Sequence, residues 1–476
     1  MNASQQQLIA EITREVIARL EARRDGGSAS GGADDGVFAT VDQAVKAAAA
    51  AQVRVAAMSL ADRGRICDIV RRMCADNAAE WGRMELEETK LGRLDHKILK
   101  LENIRLTLGA ESMATEAMAD STGLSLIEHA PWGVIGMVLP ATHSVPTMAT
   151  NAINVVAAGN TAVFSPHPAG AKVAAHALRL MNREIVRQLG VANVLTTTEQ
   201  ATIQAAEEIF RHPDVALLCV TGGPGVVRAA MQHGKRVIAA GPGNPPVVVD
   251  ETADLDHAAR SIIDGAAFDN NLLCIGEKEV FVLRAVADAF IAAMRRAGAY
   301  QLDAAAIDRL TKAAFQFNAD KAGRTHAHVR KELIGKDTDV LARAAGIQIP
   351  DRTDLLFGET AEDHPFVEEE QMMPFLPVVR VPDIDAAIAA SVRAEHGYRH
   401  TAIIHSRNIE NVTRMARAMN TTLFVANAPC YASLGVEGPG YLSHSIATPT
   451  GEGVTVPLTF TRERRITTAR GGLRIL

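Results

Sequence analysis

The chain has 476 residues, 47% hydrophobic and 22% charged, with a net charge of -6. It is long enough for more than one core, and its composition gives no ground for disorder or for nucleic acid as a partner. Its cysteines (Cys67, Cys74, Cys219, Cys274, Cys430) form no CxxC pair and no even framework, which predicts reduced thiols and a cytoplasmic setting. No HExxH or paired-ligand spacing supports a metal, and no apolar run reaches the roughly 18 residues of a membrane span.

Leu8, Ile9, Ile12, Val16 and Leu20 fall on one face at helical spacing, which predicts an amphipathic helix within residues 1–24. Residues 25–36 follow as a linker rich in glycine and serine. A short helix on such a tether either docks on its own body or serves a partner's groove. Acids are as common as bases on its polar face, which argues against a membrane surface.

Phe38 to Ala119 reads as helical, with Val41–Met58 and Leu60–Trp81 the clearest runs; Cys67 and Cys74 share one face of the second. Ser121–Glu128 reads as a strand. Strands then alternate with helices: Val134–Leu139, Thr161–Ser165, Val194–Thr197, Val215–Val220 and Arg236–Ala239 against Pro146–Ala157, Lys172–Leu189, Ile203–Arg211 and Val226–His233. That alternation predicts an open parallel sheet covered by helices, the usual home of a nucleotide. A second α/β lobe runs from Glu251 to Leu434. Val454–Phe460 has strand character and is expected to pair with Ser121–Glu128 outside both lobes.

Val220-Thr221-Gly222-Gly223-Pro224-Gly225-Val226 joins a strand end, a glycine turn and a helix start, where free N–H groups can receive phosphate or a cofactor's polar edge. The same composition also makes plain steric turns. Ser165-Pro166-His167-Pro168 ends another strand, where ligands of open α/β sheets collect, or else leaves His167 as an exposed loop histidine. Ala240-Gly241-Pro242-Gly243-Asn244-Pro245-Pro246 is rigid and lets backbone approach a ligand.

Asp269-Asn270-Asn271-Leu272-Leu273-Cys274-Ile275-Gly276-Glu277 sets one cysteine between an expected helix, Leu255–Phe268, and an expected strand, Glu279–Leu283. A thiol there can meet substrate on one side while packing shields the other; most cysteines are instead small buried hydrophobes. Cys219 lies within an expected strand and reads as buried, which leaves Cys430 as the rival nucleophile.

Several motifs in fixed order resemble the aldehyde dehydrogenase superfamily from Phe38 to Leu476: Pro131-Trp132-Gly133-Val134-Ile135-Gly136, Ala157-Ala158-Gly159-Asn160-Thr161, Thr221-Gly222-Gly223 and the Cys274 segment. The CoA-acylating branch is the closer match. Its marks are Ser165-Pro166-His167-Pro168, Gly241-Pro242-Gly243-Asn244, Asn270 to Cys274, Glu370-Gln371-Met372-Met373-Pro374, His400-Thr401-Ala402 and Thr450-Gly451-Glu452-Gly453-Val454-Thr455. Within it the chain is similar to the propionaldehyde and acetaldehyde dehydrogenases of bacterial microcompartments.

The resemblance implies two α/β lobes, a Rossmann-like cofactor lobe over 37–250 and a catalytic lobe over 251–434. A small β oligomerisation element would hold 121–130, and the segment 435–476 would return to it and to the cofactor lobe. Cys274 would be the nucleophile, with Thr142 as helper at the oxyanion. Pro140, Ser165, His167, Thr221, Gly222, Gly223 and Gly241 would lie against NAD, and Glu370 would meet the nicotinamide ribose. Coenzyme A would be the cosubstrate and a short aldehyde the substrate. The resemblance also implies a homo-dimer or homo-tetramer, with residues 1–24 as an encapsulation peptide for a microcompartment shell.

Two departures bear on mechanism. The hydrolytic branch carries a water-activating glutamate ahead of a Gly-Gly, where this chain has Ala240-Gly241-Pro242-Gly243, so water loses its base and the CoA thiol is left to take the acyl group. The family's usual oxyanion asparagine falls at Thr142 or His143. Thr142 as helper to the Cys274 N–H, and His143 as a structural substitution, therefore both stay open. The alternatives are a hydrolytic dehydrogenase releasing free acid and a catalytically idle scaffold.

Overall fold

The computed structural model describes residues 35–319 and 325–470. The helix expected within 1–24 and most of the 25–36 linker lie outside the described residues. Four helices come first: Val41–Ala57, Leu60–Asp76, Ala78–Thr89 and Leu94–Glu102. The first two start where a short polar side chain accepts from the opening turn: Thr40 Oγ1 from Gln43 N–H at 3.3 Å, and Ser59 Oγ from Asp62 N–H at 3.1 Å. Cys67 and Cys74 are buried in the apolar stripe of the second helix.

Six parallel strands form the first sheet, in the order Val37–Phe38, Leu195–Thr198, Thr161–Pro166, Val134–Leu139, Val215–Thr221 and Arg236–Ala240. The chain builds outward from Val134–Leu139 on one side and then returns to its other side with Val215–Thr221. The switch point therefore lies between the ends of those two strands, beside Leu139 and Thr221, where open α/β sheets hold their ligands. The helix after Val215–Thr221 begins at Pro224, two residues before the periodicity suggests, because proline suits a first helical turn whose N–H has no partner anyway.

Seven parallel strands form the second sheet: Tyr300–Gln301, Leu356–Glu359, Phe375–Val381, Glu279–Leu283, Pro246–Val249, Thr401–His405 and Leu423–Ala426. Pro246–Val249 pairs here with Glu279–Leu283 and Thr401–His405, so the boundary expected after residue 250 moves ahead of this strand. Its apolar run is too short to show which sheet it joins.

Glu116–Asp120, Gly123–Pro131 and Thr461–Ala469 form a small antiparallel sheet. The partner of the central strand is thus Thr461–Ala469, whereas Pro457–Phe460 is a 3₁₀ turn opened by a proline that has no N–H for a ladder. Glu116–Asp120 is a strand where a helix was expected. Both outer strands are largely exposed and polar, so neither carries an apolar alternation to announce it. Among the described residues no helix is long and apolar enough to cross a membrane.

Candidate active site

Cys274 follows three consecutive residues in the left-handed region: Asp269, Asn270 and Asn271, with φ of 49°, 56° and 65°. Aspartate and asparagine tolerate that region best among residues with a side chain. Each is also held from outside. Asp269 accepts from Arg93 N–H at 2.8 Å, while its own N–H donates to His96 Nδ1 at 2.8 Å. Asn270 donates to Gly335 O at 3.1 Å and Asp337 Oδ1 at 2.8 Å, and Asn271 donates to Ala266 O and Glu277 O, both at 2.9 Å. The motif around the cysteine is thus a rigid, over-determined turn.

Two buried lysines brace this turn. Lys278 Nζ donates to Asn271 O, Asn271 Oδ1 and Leu273 O at 2.8, 2.6 and 3.1 Å. Lys100 Nζ donates to Asp269 Oδ2 at 2.5 Å, to Thr142 O at 3.3 Å, and lies 3.0 Å from His143 Nδ1. Behind it, Lys97 pairs with Glu85 at 3.1 Å, and Glu85 also accepts from Val145 N–H at 3.2 Å, at the positive end of the Ser144–Ala157 helix.

The thiol is half-buried against a cavity of about 50 Å³. Its apolar wall includes Phe268, Leu273, Ile275, Tyr431, Leu434 and Leu442; its polar end is Lys100, Asn103, His143 and His444. The resemblance left Thr142 and His143 open at the oxyanion. The structure brings His143 to this wall, whereas Thr142 offers Lys100 its carbonyl and is not among the lining residues. Burial, with Glu370 nearby, pushes the Cys274 thiol up to about 12, against the opposing pull of Lys278 and of the Cys274 and Ile275 N–H groups. A thiol held there keeps its proton at neutral pH, so a neighbouring base has to take it during attack.

Gly243 packs closely against the cysteine turn. A side-chain carbon there would lie 2.4 Å from Cys274 O and 2.9 Å from the His400 ring, and the Gly243 N–H bonds the Glu370 carboxyl. Glu370 is half-buried, and desolvation raises it to about 7 despite the opposing charge of Lys278. His400 is buried with Nδ1 2.9 Å from Thr401 Oγ1, its Nε2 has no partner, and burial holds it down at about 4, hence neutral. Sequence reasoning quoted His400 within a motif but gave it no role, and it missed Lys100 and Lys278 altogether. Their importance comes from contacts with distant segments, and no spacing rule reports that.

The remaining expected residues gather at the ends of the first sheet's strands. Pro140 and Thr221 flank the switch point, and Ser165 and His167 end the neighbouring strand. The Thr221 hydroxyl is 2.7 Å from Ser445 Oγ, and His167 Nδ1 accepts from Ala169 N–H at 3.1 Å. Gly241 approaches the Pro449 ring. At Gly223 and Gly225 an added side-chain carbon would meet nothing within 4 Å, and Gly223 opens the Pro224–Met231 helix without a side-chain cap. The Gly222 N–H is bonded to Ala240 O at 3.2 Å, and the open backbone beyond it, at a helix start on a switch point, fits a dinucleotide's phosphates.

Cys430, the rival thiol, is fully buried, its N–H donates to Glu277 Oε1 at 2.9 Å, and burial beside Glu277 holds the thiol well above its ordinary range. Glu277 itself rises to about 7 through burial. Neither reaches the open side of the cavity, although Tyr431, the next residue, forms part of its wall.

Known proteins resemble this chain in sequence and fold. The chain is 44% identical over 462 residues, 97% of each chain, to acetaldehyde dehydrogenase (acetylating) EutE of Salmonella typhimurium. Its fold superposes with a TM-score of 0.88, at 39% identity over 92% of this chain and all of the other, on a propionaldehyde dehydrogenase from the fucose utilisation microcompartment of Clostridium phytofermentans. The same values hold for the Rhodopseudomonas palustris propionaldehyde dehydrogenase, solved with bound CoA and an acylated cysteine. The profile of the aldehyde dehydrogenase family matches residues 27–439, and the chain belongs to that family.

Proposed function

We propose that the protein is a CoA-acylating aldehyde dehydrogenase that converts a short aldehyde, CoA and NAD⁺ to acyl-CoA and NADH through a thioester on Cys274. The observation that carries this reading is a half-buried cysteine on a small apolar cavity, approached at its carbonyl by Gly243 of a segment, Ala240–Gly243, that holds no carboxylate. The named relatives, one of them with CoA and an acylated cysteine, support it.

Cys274 adds to the aldehyde carbon while Glu370, near the working pH, accepts the thiol proton. The Cys274 and Ile275 N–H groups, directed at the sulfur, receive part of the oxyanion charge. Thr221 and the Gly222–Gly225 turn, with Pro140, Ser165, His167, Gly241 and Glu370 at the ribose, would hold NAD⁺, which would supply the hydride acceptor. Cys274 is then left as a thioester. With no base at residues 240–243 to activate water, the thioester waits for the CoA thiol, whose proton the neutral His400 would take through its unpartnered Nε2. Exchange of one thioester for another keeps the energy of oxidation in acyl-CoA.

Size restricts the aldehyde. A dry cavity of roughly 150 Å³ admits benzene, and one of about 50 Å³ suits two or three carbon atoms. Acetaldehyde or propanal is the expected substrate. The small three-stranded sheet exposes Met118 and Ile466 and is the surface through which two or four copies would associate. Residues 1–24 would direct the enzyme into a cytoplasmic microcompartment, a role supported by the relative drawn from one. Fusing residues 1–24 to a reporter tests this; a reporter that stays diffuse beside assembled shells refutes it. For the reaction, NADH formation that proceeds equally without CoA and yields free acid would overturn the acylating reading.

A further inference from the structure

We propose that His143 is a catalytic residue, giving the thioester-forming oxyanion a hydrogen bond from Nε2–H, and that Lys100 fixes it in that tautomer; this rests on the acylating reading above. An ammonium group has three donors and no acceptor. Lys100 Nζ has three near neighbours: Asp269 Oδ2 at 2.5 Å, Thr142 O at 3.3 Å and His143 Nδ1 at 3.0 Å. Burial lowers the Lys100 ammonium from its ordinary range, and the ion pair with Asp269, itself held by Arg93 N–H, opposes that and favours the charged form. The Thr142 carbonyl, the competing acceptor beside the ring, already takes a Lys100 proton at 3.3 Å, and the remaining ammonium proton makes His143 Nδ1 the acceptor. In a neutral imidazole the proton consequently sits on Nε2, and a second proton on the ring would face the Lys100 ammonium directly.

His143 lines the same cavity as Cys274, and its position favours a developing negative charge. It is the N-cap of the Ser144–Ala157 helix without a side-chain bond to it, so the ring sits at the positive helix end, where Glu85 takes the Val145 N–H at 3.2 Å. The groups that meet the ring are Lys100 and His444, whose ring centroid is 5.8 Å away, while the carboxylates of the cluster, Asp269 and Glu85, are each paired with Lys100 or Lys97. Burial, then Lys100 and His444, hold His143 well below the usual imidazole range, and burial holds His444 down at about 3. A neutral donor backed by a positive charge is the arrangement that stabilises an oxyanion without surrendering its own proton.

Acylation by propionyl-CoA in the absence of NAD⁺ isolates this role. Cys274 Sγ bonds to the carbonyl carbon, the bond to the CoA sulfur breaks, and the Cys274 proton leaves with CoA, so the oxyanion forms with no redox step. The acyl-enzyme is followed by intact mass. His143→Phe, which keeps a ring and removes the donor, is expected to slow acylation about 100- to 1,000-fold, and His143→Asn, with an amide donor, to recover most of it. Alkylation of Cys274 by iodoacetamide passes through no oxyanion and should change by less than about threefold in either variant. Wild-type acylation rates in His143→Phe, or an equal fall in acylation and alkylation, would overturn the proposal. If His143→Phe does not fold, ¹⁵N-histidine spectra of the wild-type protein decide: an Nε2–H tautomer at His143 supports it and an Nδ1–H tautomer overturns it. A wild-type protein that no acyl-CoA acylates is a different failure, that of the acylating reading itself.

Discussion

Replacing Gly243 by alanine tests whether the cysteine turn is as closely built as its contacts indicate. The new carbon would lie 2.4 Å from Cys274 O, whereas ordinary contacts begin near 3.4 Å, so the carbonyl must retreat by about 1 Å. It cannot do so freely, because Lys278 holds Asn271 O and Leu273 O on the same turn and His400 blocks the other direction at 2.9 Å. A misplacement of about 1 Å at a reacting centre costs on the order of 100-fold in rate. Overpacking of this kind costs about 1–3 kcal/mol in stability. The expected result is a kcat about 100-fold lower for NADH formation from propanal, with a modest drop in melting temperature. A folded Gly243→Ala enzyme with wild-type kcat would refute the rigid-turn reasoning.

Gly223→Ala makes the opposite comparison: its φ of -67° accepts alanine and nothing lies within 4 Å, so stability should hold while KM for NAD⁺ rises. An unchanged KM would remove that turn from the cofactor site. Glu370 rises from the ordinary carboxylate range to about 7, so its basic form grows as pH climbs through about 7. The rate should rise over the same range, and Glu370→Gln should lower the rate and flatten that limb; a limb that persists in the variant points to another base. Asp269→Asn leaves Lys97 and Lys100 buried with less than their counter-charge, and should cost about 3–5 kcal/mol by denaturant unfolding. A loss below about 1 kcal/mol would mean the lysines shed their protons instead.

Reading from sequence worked where local pattern carries the information. The alternating strands of the first sheet and the cysteine turn announced themselves through apolar runs and turn formers, and the strand Glu279–Leu283 has the bounds its composition suggests. The small sheet was harder. Its outer strands are solvated, and Thr461–Ala469 reads as charge and threonine until it is paired with Gly123–Pro131. The active site divides in the same way. Cys274 and the glycine turns carry motifs, but Lys100 reaches Asp269 across 169 positions of chain, and that meeting exists only once the lobes are packed. The motif alone does not separate His143 from Thr142; the fold does, because Lys100 meets Thr142 only at its carbonyl and His143 at a ring that lines the Cys274 cavity.

The most direct test of the account is product analysis from one turnover and from many, using purified protein with propanal and NAD⁺, with and without CoA, beside Cys274→Ala and Cys430→Ala. The account predicts one NADH and one acyl group on Cys274 per subunit without CoA, and continuous NADH with equimolar propionyl-CoA when CoA is added. Cys430→Ala should still form the acyl-enzyme, and Cys274→Ala should not. Continuous NADH with propionate in the absence of CoA, or an acyl group on Cys430, would contradict it.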